Sequence, residues 1–341
     1  MFLWSLLAVF RAPTFRLFLL AVGATEYGLV LSLVCLGLFL VPASGVSGDL
    51  GHLLALVAAG LFLSSFVRGC LLARREGLPF FGKRIRSRPV LRKMRCEYAK
   101  GLQAECFFPA GGKALPLVVA VHGGGWNSGS NLENADFLRD LAGLGFFVAS
   151  VSYRLAPESI WPAQREDVLT GLRHLLPRSG ELGFDPDRIY LLGVSAGGQI
   201  ASALATAQLA PEVRGCICLY APFDLVYAYE NGKENDILNS LSLLRQLLGG
   251  TPESARKNFR DASAYHLVRP DAPPFLLLHG TRDELVWVGQ SCRFAARLRE
   301  NGVACAFVEL PWATHAFEYG GIGPGRRIAL SAIQRFVFSG N

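Results

Sequence analysis

Charge is scarce in this sequence. Asp, Glu, Lys and Arg make up 18% of its 341 residues, where soluble chains average about 25%. Apolar residues make up 51%. This balance excludes a disordered chain, which needs low hydrophobicity and high net charge. The 37 Gly and 18 Pro follow no period, which excludes a collagen-like or low-complexity chain, and no internal repeat is visible. Metal-ligand spacing is missing as well. The eight Cys are scattered, with no Cys-x-x-Cys pair and no Cys/His cluster. They read as reduced core thiols, in keeping with a cytosolic domain. No metal and no organic cofactor is expected.

The charge that is present is unevenly placed. Residues 1–67 hold Arg11 and Arg16 against Glu26 and Asp49, and residues 68–95 hold ten Lys or Arg against Glu76 alone. Residues 96–341 hold 22 Lys or Arg against 24 Asp or Glu. The formal net charge of +7 is therefore +9 in the middle stretch and −2 in the body. A slightly acidic body offers no surface for nucleic acid, which is excluded as a partner. The basic stretch 68–95 suits anionic lipid, where each Lys or Arg near the surface contributes about 1 kcal/mol.

The first 67 residues explain the hydropathy. Residues 17–41 form an apolar run broken only by Glu26 and a few small or hydroxyl residues, and a second run covers 50–67 and extends to 72. A membrane-spanning helix needs about 20 such residues. The turn-forming cluster Pro42-Ala43-Ser44-Gly45 lies between them. The expected arrangement is a helical transmembrane hairpin within residues 1–73, with spans near 17–41 and 50–72, then a basic juxtamembrane connector over 74–94. Basic residues flank both ends and the intervening loop has none, so the positive-inside rule puts both ends in the cytoplasm. The protein is thus expected to be integral to a membrane, its catalytic domain facing the cytoplasm. Val41-Pro42-Ala43 passes for a signal-cleavage site, but the run exceeds the roughly 7–15 residues of a signal core and a second run follows. Glu26 reads either as a functional intramembrane carboxylate or as a helix-end or interhelical polar contact.

Beyond residue 95, short apolar runs alternate with amphipathic stretches. Strands are predicted at 117–121, 146–153, 189–193, 216–220, 275–279 and 304–310, as runs of four to eight apolar residues bounded by turn signals. Helices are predicted near 134–144, 164–176, 196–209, 288–301 and 327–338. Residues 95–109 read as a hairpin turning at Lys100-Gly101. Strands alternating with helices imply a mostly parallel, doubly wound α/β sheet in one catalytic domain over 95–341. Residues 223–262 break the alternation and contain a helix candidate at 236–249. They read either as a cap insertion roofing the carboxyl ends of the strands or as a long surface loop.

Within this frame the chemistry concentrates at a few points. Residues 189–199 are an apolar strand, then Gly193-Val194-Ser195-Ala196-Gly197, then the opening of a helix. A bare Gly-x-Ser-x-Gly is weak in a chain with 37 Gly; its position between strand and helix gives it weight. A serine hydroxyl must be presented on a sharp, exposed turn to serve as a nucleophile, and small neighbours let such a turn form. The strand 117–121 runs into His122-Gly123-Gly124-Gly125-Trp126. Successive glycines let backbone amides face an oxyanion. Gly124 and Gly125, with the Ala196 amide after the serine, are the expected donors, and Gly123 competes for the role.

Asp283 follows the strand 275–279, and His315 follows the strand 304–310. The order Ser195, Asp283, His315 is that of an α/β-hydrolase. His315 is then the general base and later acid, and Asp283 orients it. Glu284 and Asp271 compete with Asp283, which is favoured by position. His122 is expected to steady the oxyanion loop. His52, His174, His266 and His279 are read as structural or surface residues, His279 because it comes too early in the order to be the base.

These segments together resemble the α/β-hydrolase superfamily, near the hormone-sensitive-lipase-like carboxylesterases. The resemblance rests on His122-Gly123-Gly124-Gly125, Tyr153-Arg154-Leu155-Ala156-Pro157-Glu158, Asp185-Pro186-Asp187-Arg188-Ile189, Gly193-Val194-Ser195-Ala196-Gly197-Gly198 and His279-Gly280-Thr281-Arg282-Asp283. It covers roughly residues 95–341. Val194 stands where that group often has an aspartate, and membrane spans with a basic connector replace the usual N-terminal cap. The layout is also similar to membrane-anchored prenylcysteine methylesterases and to small feruloyl-esterase-like hydrolases. The resemblance implies a membrane-anchored serine carboxylic-ester hydrolase acting on a lipophilic or small acyl ester, with the lipid bilayer as its other partner. Two further readings stand beside it: a serine peptidase or amidase on the same fold, and a non-catalytic binding protein with a hydrolase fold.

Overall fold

The structure, a computed structural model, describes residues 1–42, 45–80, 89–207 and 213–338. Four of the ten basic residues expected at a lipid surface, Lys83, Arg84, Arg86 and Arg88, lie outside the described residues. The chain divides into two compact units that do not follow its linear order. Met1–Arg84, His279–Leu285 and Glu309–Arg335 make up one; Ile85–Leu278, Val286–Val308 and Phe336–Asn341 make up the other.

The second unit is built on a sheet. Its strands are β1 (Leu91–Ala99), β2 (Leu102–Pro109), β3 (Leu115–Val121), β4 (Phe147–Val151), β5 (Phe184–Val194), β6 (Val213–Leu219), β7 (Phe275–Gly280) and β8 (Cys305–Leu310), in the spatial order β1-β2-β4-β3-β5-β6-β7-β8. β1, β2 and β4 pair antiparallel. From β4 through β3, β5, β6 and β7 every pairing is parallel. Helices Ala135–Gly143, Ala163–Leu175 and Ala196–Thr206 connect parallel strands, and Gly289–Glu300 lies between β7 and β8. Such crossovers cover a parallel sheet on both faces. All five residues of β4 are accordingly buried, as are six of the seven in β3. Each fully buried Val, Leu or Phe side chain contributes about 1.5–3 kcal/mol.

The hairpin expected over 95–109 starts four residues earlier, at Leu91, and turns at Lys100 and Gly101, the latter with φ +75°. Its extra length brings Lys93 and Arg95 to either side of Glu105, at 2.6 and 2.8 Å, with the Glu105 side chain fully buried. Two cations of the basic stretch are thereby engaged within the sheet.

The segment after β6 is ordered. Asp224 caps the helix Leu225–Asn231 by accepting the Tyr227 N–H at 3.0 Å. The predicted helix over 236–249 is found at Ser240–Leu248. Gly249, with φ +76°, ends it in the left-handed conformation that closes many helices. A third helix, Arg256–Ala262, leads back toward β7.

The first unit contains the N-terminal helices. The single span expected over 17–41 is instead two helices, Phe15–Glu26 and Gly28–Phe39, bent by 81° at Tyr27. The second expected segment is one long helix, Val46–Arg75, and the most apolar 18-residue window within Gly48–Arg75 has a mean hydropathy of 2.0. Among the described residues this is the one helix long and apolar enough to cross a membrane, with a second only if the bent pair counts as one span.

The bend has identifiable causes. Ser65 of the long helix donates its hydroxyl to the Thr25 carbonyl at 2.7 Å, taking an acceptor at the end of the first helix. A side chain inserted into the hydrogen-bond ladder bends or breaks a helix. At Gly28 a Cβ would lie 2.2 Å from the Phe62 carbonyl oxygen, so the two helices approach as closely as only glycine permits. Glu26 is buried and its carboxylate accepts the Gly325 N–H at 2.9 Å. Of the two readings of Glu26, the helix-end polar contact is the one observed.

Candidate active site

Ser195 and the glycine loop lie in the second unit. β5 ends at Val194 and the next helix starts at Ala196, leaving Ser195 alone at the turn with φ +52° and ψ −123°. A non-glycine residue there is strained, and such strain persists only where its surroundings over-determine it. Those surroundings are visible. The Ser195 N–H donates to the Leu219 carbonyl at 3.0 Å, and the Ser195 carbonyl accepts from Gly198 and Gln199 at 2.9 and 3.2 Å. A Cβ on Gly193 would meet the Gly197 oxygen at 2.3 Å, and one on Gly197 would meet the Val121 and His122 oxygens at 2.2 and 2.3 Å. The small residues of the motif thus let the helix start press against the end of β3.

The end of β3 carries the glycine loop. Gly124 has φ +105° and Gly125 φ +59°. A Cβ on Gly123 would lie 3.3 Å from Ser195 Cβ, so loop and serine turn are in contact. Among the described residues, none accepts a hydrogen bond from the amides of Gly124, Gly125 or Ala196. The loop is strapped from behind. Tyr153 Oη donates to the His122 and Gly123 carbonyls at 3.1 and 3.2 Å, and the Tyr153 and His122 rings stack at 4.2 Å. His122 Nδ1 lies 2.8 Å from the Gly123 oxygen. Burial pushes the His122 pKa down to about 4, with the Gly123 contact opposing. A neutral ring donating from Nδ1 steadies the loop, as expected of this residue. Trp126 Nε1 donates to Gln199 Oε1 at 2.9 Å, and Gln199 Nε2 donates to the Ala262 carbonyl at 2.7 Å. Neither Tyr153 nor Gln199 stood among the predicted site residues. Tyr153 opens one of the quoted family segments, and Gln199 follows the serine by one helical turn.

Asp283 and His315 lie in the first unit. His315 Nδ1 sits 2.6 Å from Asp283 Oδ2. The Leu285 N–H donates to Asp283 Oδ1 at 2.9 Å. His279 Nε2 stands 3.2 Å from the same Oδ2, a contact missed when His279 was read as merely structural. The available signal was its place four residues before the acid in His279-Gly-Thr-Arg-Asp283. Burial pushes the Asp283 carboxyl up, but the facing His315 charge and the hydrogen bonds from both histidines outweigh it and hold the group well below the usual carboxylate range. An ionised carboxylate accepts and cannot donate, so His315 carries its proton on Nδ1 and has Nε2 as the acceptor nitrogen of the ring. Of the competing acids, Glu284 instead accepts the Ala12 N–H at 2.5 Å, and Asp271 pairs with Arg269 at 3.5 Å.

Residues 105–298 match the BD-FAE family. The chain belongs to this family. The BD-FAE match takes in the glycine loop, Ser195 and Asp283 and ends before His315. The fold is that of the α/β-hydrolases. An esterase from Pyrobaculum calidifontis superposes with a TM-score of 0.62 at 26% identity, covering 80% of this chain and 89% of its own. A bacterial heroin esterase has the same fold, with a TM-score of 0.63 at 24% identity over 80% of this chain and 90% of its own. Among curated relatives, the probable carboxylic ester hydrolase LipM of Mycobacterium tuberculosis is 31% identical over 232 residues, 65% of this chain and 54% of that protein. The probable isoprenylcysteine alpha-carbonyl methylesterase ICME of Oryza sativa subsp. japonica is 29% identical over 215 residues, 60% of this chain and 52% of its own. The chain spans about half the length of the curated relatives it matches.

The BD-FAE match also includes the ordered segment after β6, which reaches the glycine loop. A Cβ on Gly125 would meet Leu243 Cδ1 at 3.0 Å, and Asn127 Nδ2 donates to Gln246 Oε1 at 3.1 Å.

Proposed function

We propose that this protein is a membrane-held serine carboxylic-ester hydrolase. The observation that carries the reading is the strained Ser195 turn pressed against the glycine loop, a conformation that ordinary turns do not need. The hydrogen-bonded Asp283–His315 pair supplies the second half of the chemistry. The names of LipM and of the structural neighbours add weight to ester hydrolysis.

The reaction runs through an acyl-enzyme. Ser195 Oγ attacks the ester carbonyl carbon while His315 Nε2 takes its proton. The carbonyl oxygen becomes an oxyanion held by the amides of Gly124, Gly125 and Ala196. Preorganised donors of this kind lower the barrier by about 2.7–4 kcal/mol each. The C–O bond then breaks, and the leaving alkoxide takes the proton from His315. A water molecule repeats the sequence on the acyl-enzyme, returning Ser195 and releasing the acid. Asp283 keeps its charge throughout and stabilises the imidazolium.

The substrate is a lipophilic or small acyl ester. Leu243 brings an apolar side chain to Gly125 from the 223–262 insertion, which caps the site. The methylesterase name of the relative ICME agrees with an ester of this class. Membrane residence is supported by the helix Gly48–Arg75 and by exposed large apolar side chains, such as Leu33, Leu40, Leu53 and Leu71, that concentrate in the first 71 residues. The catalytic domain then faces the cytoplasm, and the 68–95 stretch meets anionic lipid.

The test uses the full-length protein in detergent. Ser195→Ala and His315→Ala are expected to abolish p-nitrophenyl acetate hydrolysis while the circular dichroism spectrum is kept. A fluorophosphonate probe labels the wild type and not Ser195→Ala. Activity retained in either variant overturns the mechanism, and faster turnover of an anilide than of the matching ester would assign an amidase instead.

A further inference from the structure

Arg282 stands one residue before the catalytic acid, is buried, and among the described residues donates to backbone carbonyls through its guanidinium terminus. Its two terminal nitrogens go to backbone carbonyls. Nη1 donates to the Ala8 oxygen at 2.6 Å and to the Trp312 oxygen at 3.4 Å. Nη2 donates to the Leu7 oxygen at 3.0 Å and to the Phe10 oxygen. Leu7 and Ala8 close the short helical segment at the N-terminus, Leu6–Ala8 being its final 3₁₀ turn. The last carbonyls of a helix have no partner of their own and take donors from elsewhere. Here one side chain caps the N-terminal segment from about 270 residues away in sequence. Trp312 lies three residues before His315, on the loop that carries the base.

Other bonds tighten the same junction. The Arg282 N–H donates to the Ala313 carbonyl at 3.1 Å, and the Ala12 N–H is taken by Glu284. The acid loop 282–284 and the base loop 312–315 are therefore tied to one another and to residues 7–12. On the far side of His315, Glu26 holds the glycine run that follows: Cβ atoms on Gly320 and Gly323 would lie 2.3 and 2.0 Å from its side chain.

From this convergence we infer that Arg282 is a positioning residue for the Asp283–His315 pair, and that the N-terminal segment 7–12 is the frame it positions them against. The inference rests on the triad reading above. The guanidinium fixes the backbone from which Asp283 projects and the carbonyl of Trp312 on the His315 loop. A fork of donors suits several acceptors held in fixed directions, and a lysine ammonium, one point on a flexible stem, does not reproduce it.

The experiment is a double-mutant cycle on the full chain in detergent, read with p-nitrophenyl acetate. Arg282→Met is expected to lower kcat about tenfold with KM changed less than about twofold, because it misaligns the base without touching the ester. Arg282→Lys restores part of that loss. In an Asp283→Asn background, Arg282→Met costs less than about threefold more, since an acid already lost has nothing left to align. A full additional tenfold loss in that background overturns the inference, and so does an unchanged kcat with only a lowered melting temperature. If Arg282→Met fails to fold, Arg282→Lys is carried through the same cycle; failure of both to fold makes the residue structural only and overturns the inference as well. Ser195→Ala runs alongside. Activity surviving there defeats the triad reading itself, whereas an inactive Ser195→Ala with an additive cycle defeats only the role of Arg282.

Discussion

His122 couples the site to pH through burial. The unfolded chain binds a proton on this ring near pH 6.5, about the value of an exposed histidine. In the fold, burial holds it neutral down to about 4. Between those values the unfolded state binds the extra proton, so stability falls as pH drops through the window, by up to about 3 kcal/mol. Asp283 acts lower on the scale. Its depressed folded value gives stability that is present above about pH 3.9 and lost as pH falls through the folded value. His122→Gln is therefore expected to flatten the decline between pH 6.5 and 4.5, measured as the urea midpoint at each pH. A wild-type midpoint that does not fall faster than the variant's across this range defeats the account. At this scale the sequence was readable where a role depends on neighbours along the chain, as with Ser195 between strand and helix. It was not readable where the role comes from across the fold. Nothing adjacent to Arg282 or Tyr153 announces the carbonyls they bind.

At the scale of elements, the serine turn depends on two backbones meeting with no side chain between them. A methyl at Gly197 would sit 2.2–2.3 Å from two carbonyl oxygens at the end of β3, and backbone cannot swing aside as a side chain can. Gly197→Ala is expected to lose about 3 kcal/mol, the upper part of the range for overpacking, and to displace the glycine loop. The urea midpoint and p-nitrophenyl acetate turnover should fall together, and a variant with both unchanged contradicts this packing. The strands were legible for a related reason: a parallel strand covered on both faces is apolar along its length, as 117–121 and 275–278 are. The break at Tyr27 was not. Residues 17–41 read as one apolar run in spite of Glu26, and the partners that meet them at the break, Ser65 and Gly325, lie 40 and 299 residues away from their contacts.

On the scale of the whole molecule, hydropathy and packing divide the chain differently. Hydropathy separates an apolar N-terminal region from an α/β body near residue 73. The compact units instead group Met1–Arg84 with the segments that carry Asp283 and His315. No local pattern encodes such a grouping, because it depends on contacts made by residues hundreds of positions apart. The basic stretch likewise splits by role. Lys93 and Arg95 are held by Glu105, whereas Lys83, Arg84, Arg86 and Arg88 lie outside the described residues. Replacing Lys83, Arg84, Arg86 and Arg88 with Glu is expected to weaken recruitment of detergent-diluted protein to phosphatidylserine vesicles by about 1 kcal/mol per residue or more. Alkaline carbonate should still fail to extract the protein once it is inserted, since apolar burial holds it. Equal recruitment of variant and wild type removes lipid from the role of this stretch.

The bond between Glu26 and Gly325 also sets an order of events during synthesis. The amide that satisfies the Glu26 carboxylate is made 299 residues after it. At about 5–20 residues per second the interval is tens of seconds. During it the Glu26 carboxylate awaits its amide, and for nearly as long the carbonyls of Leu7 and Ala8 await Arg282. A ribosome stalled short of residue 325 would therefore display these groups without their partners.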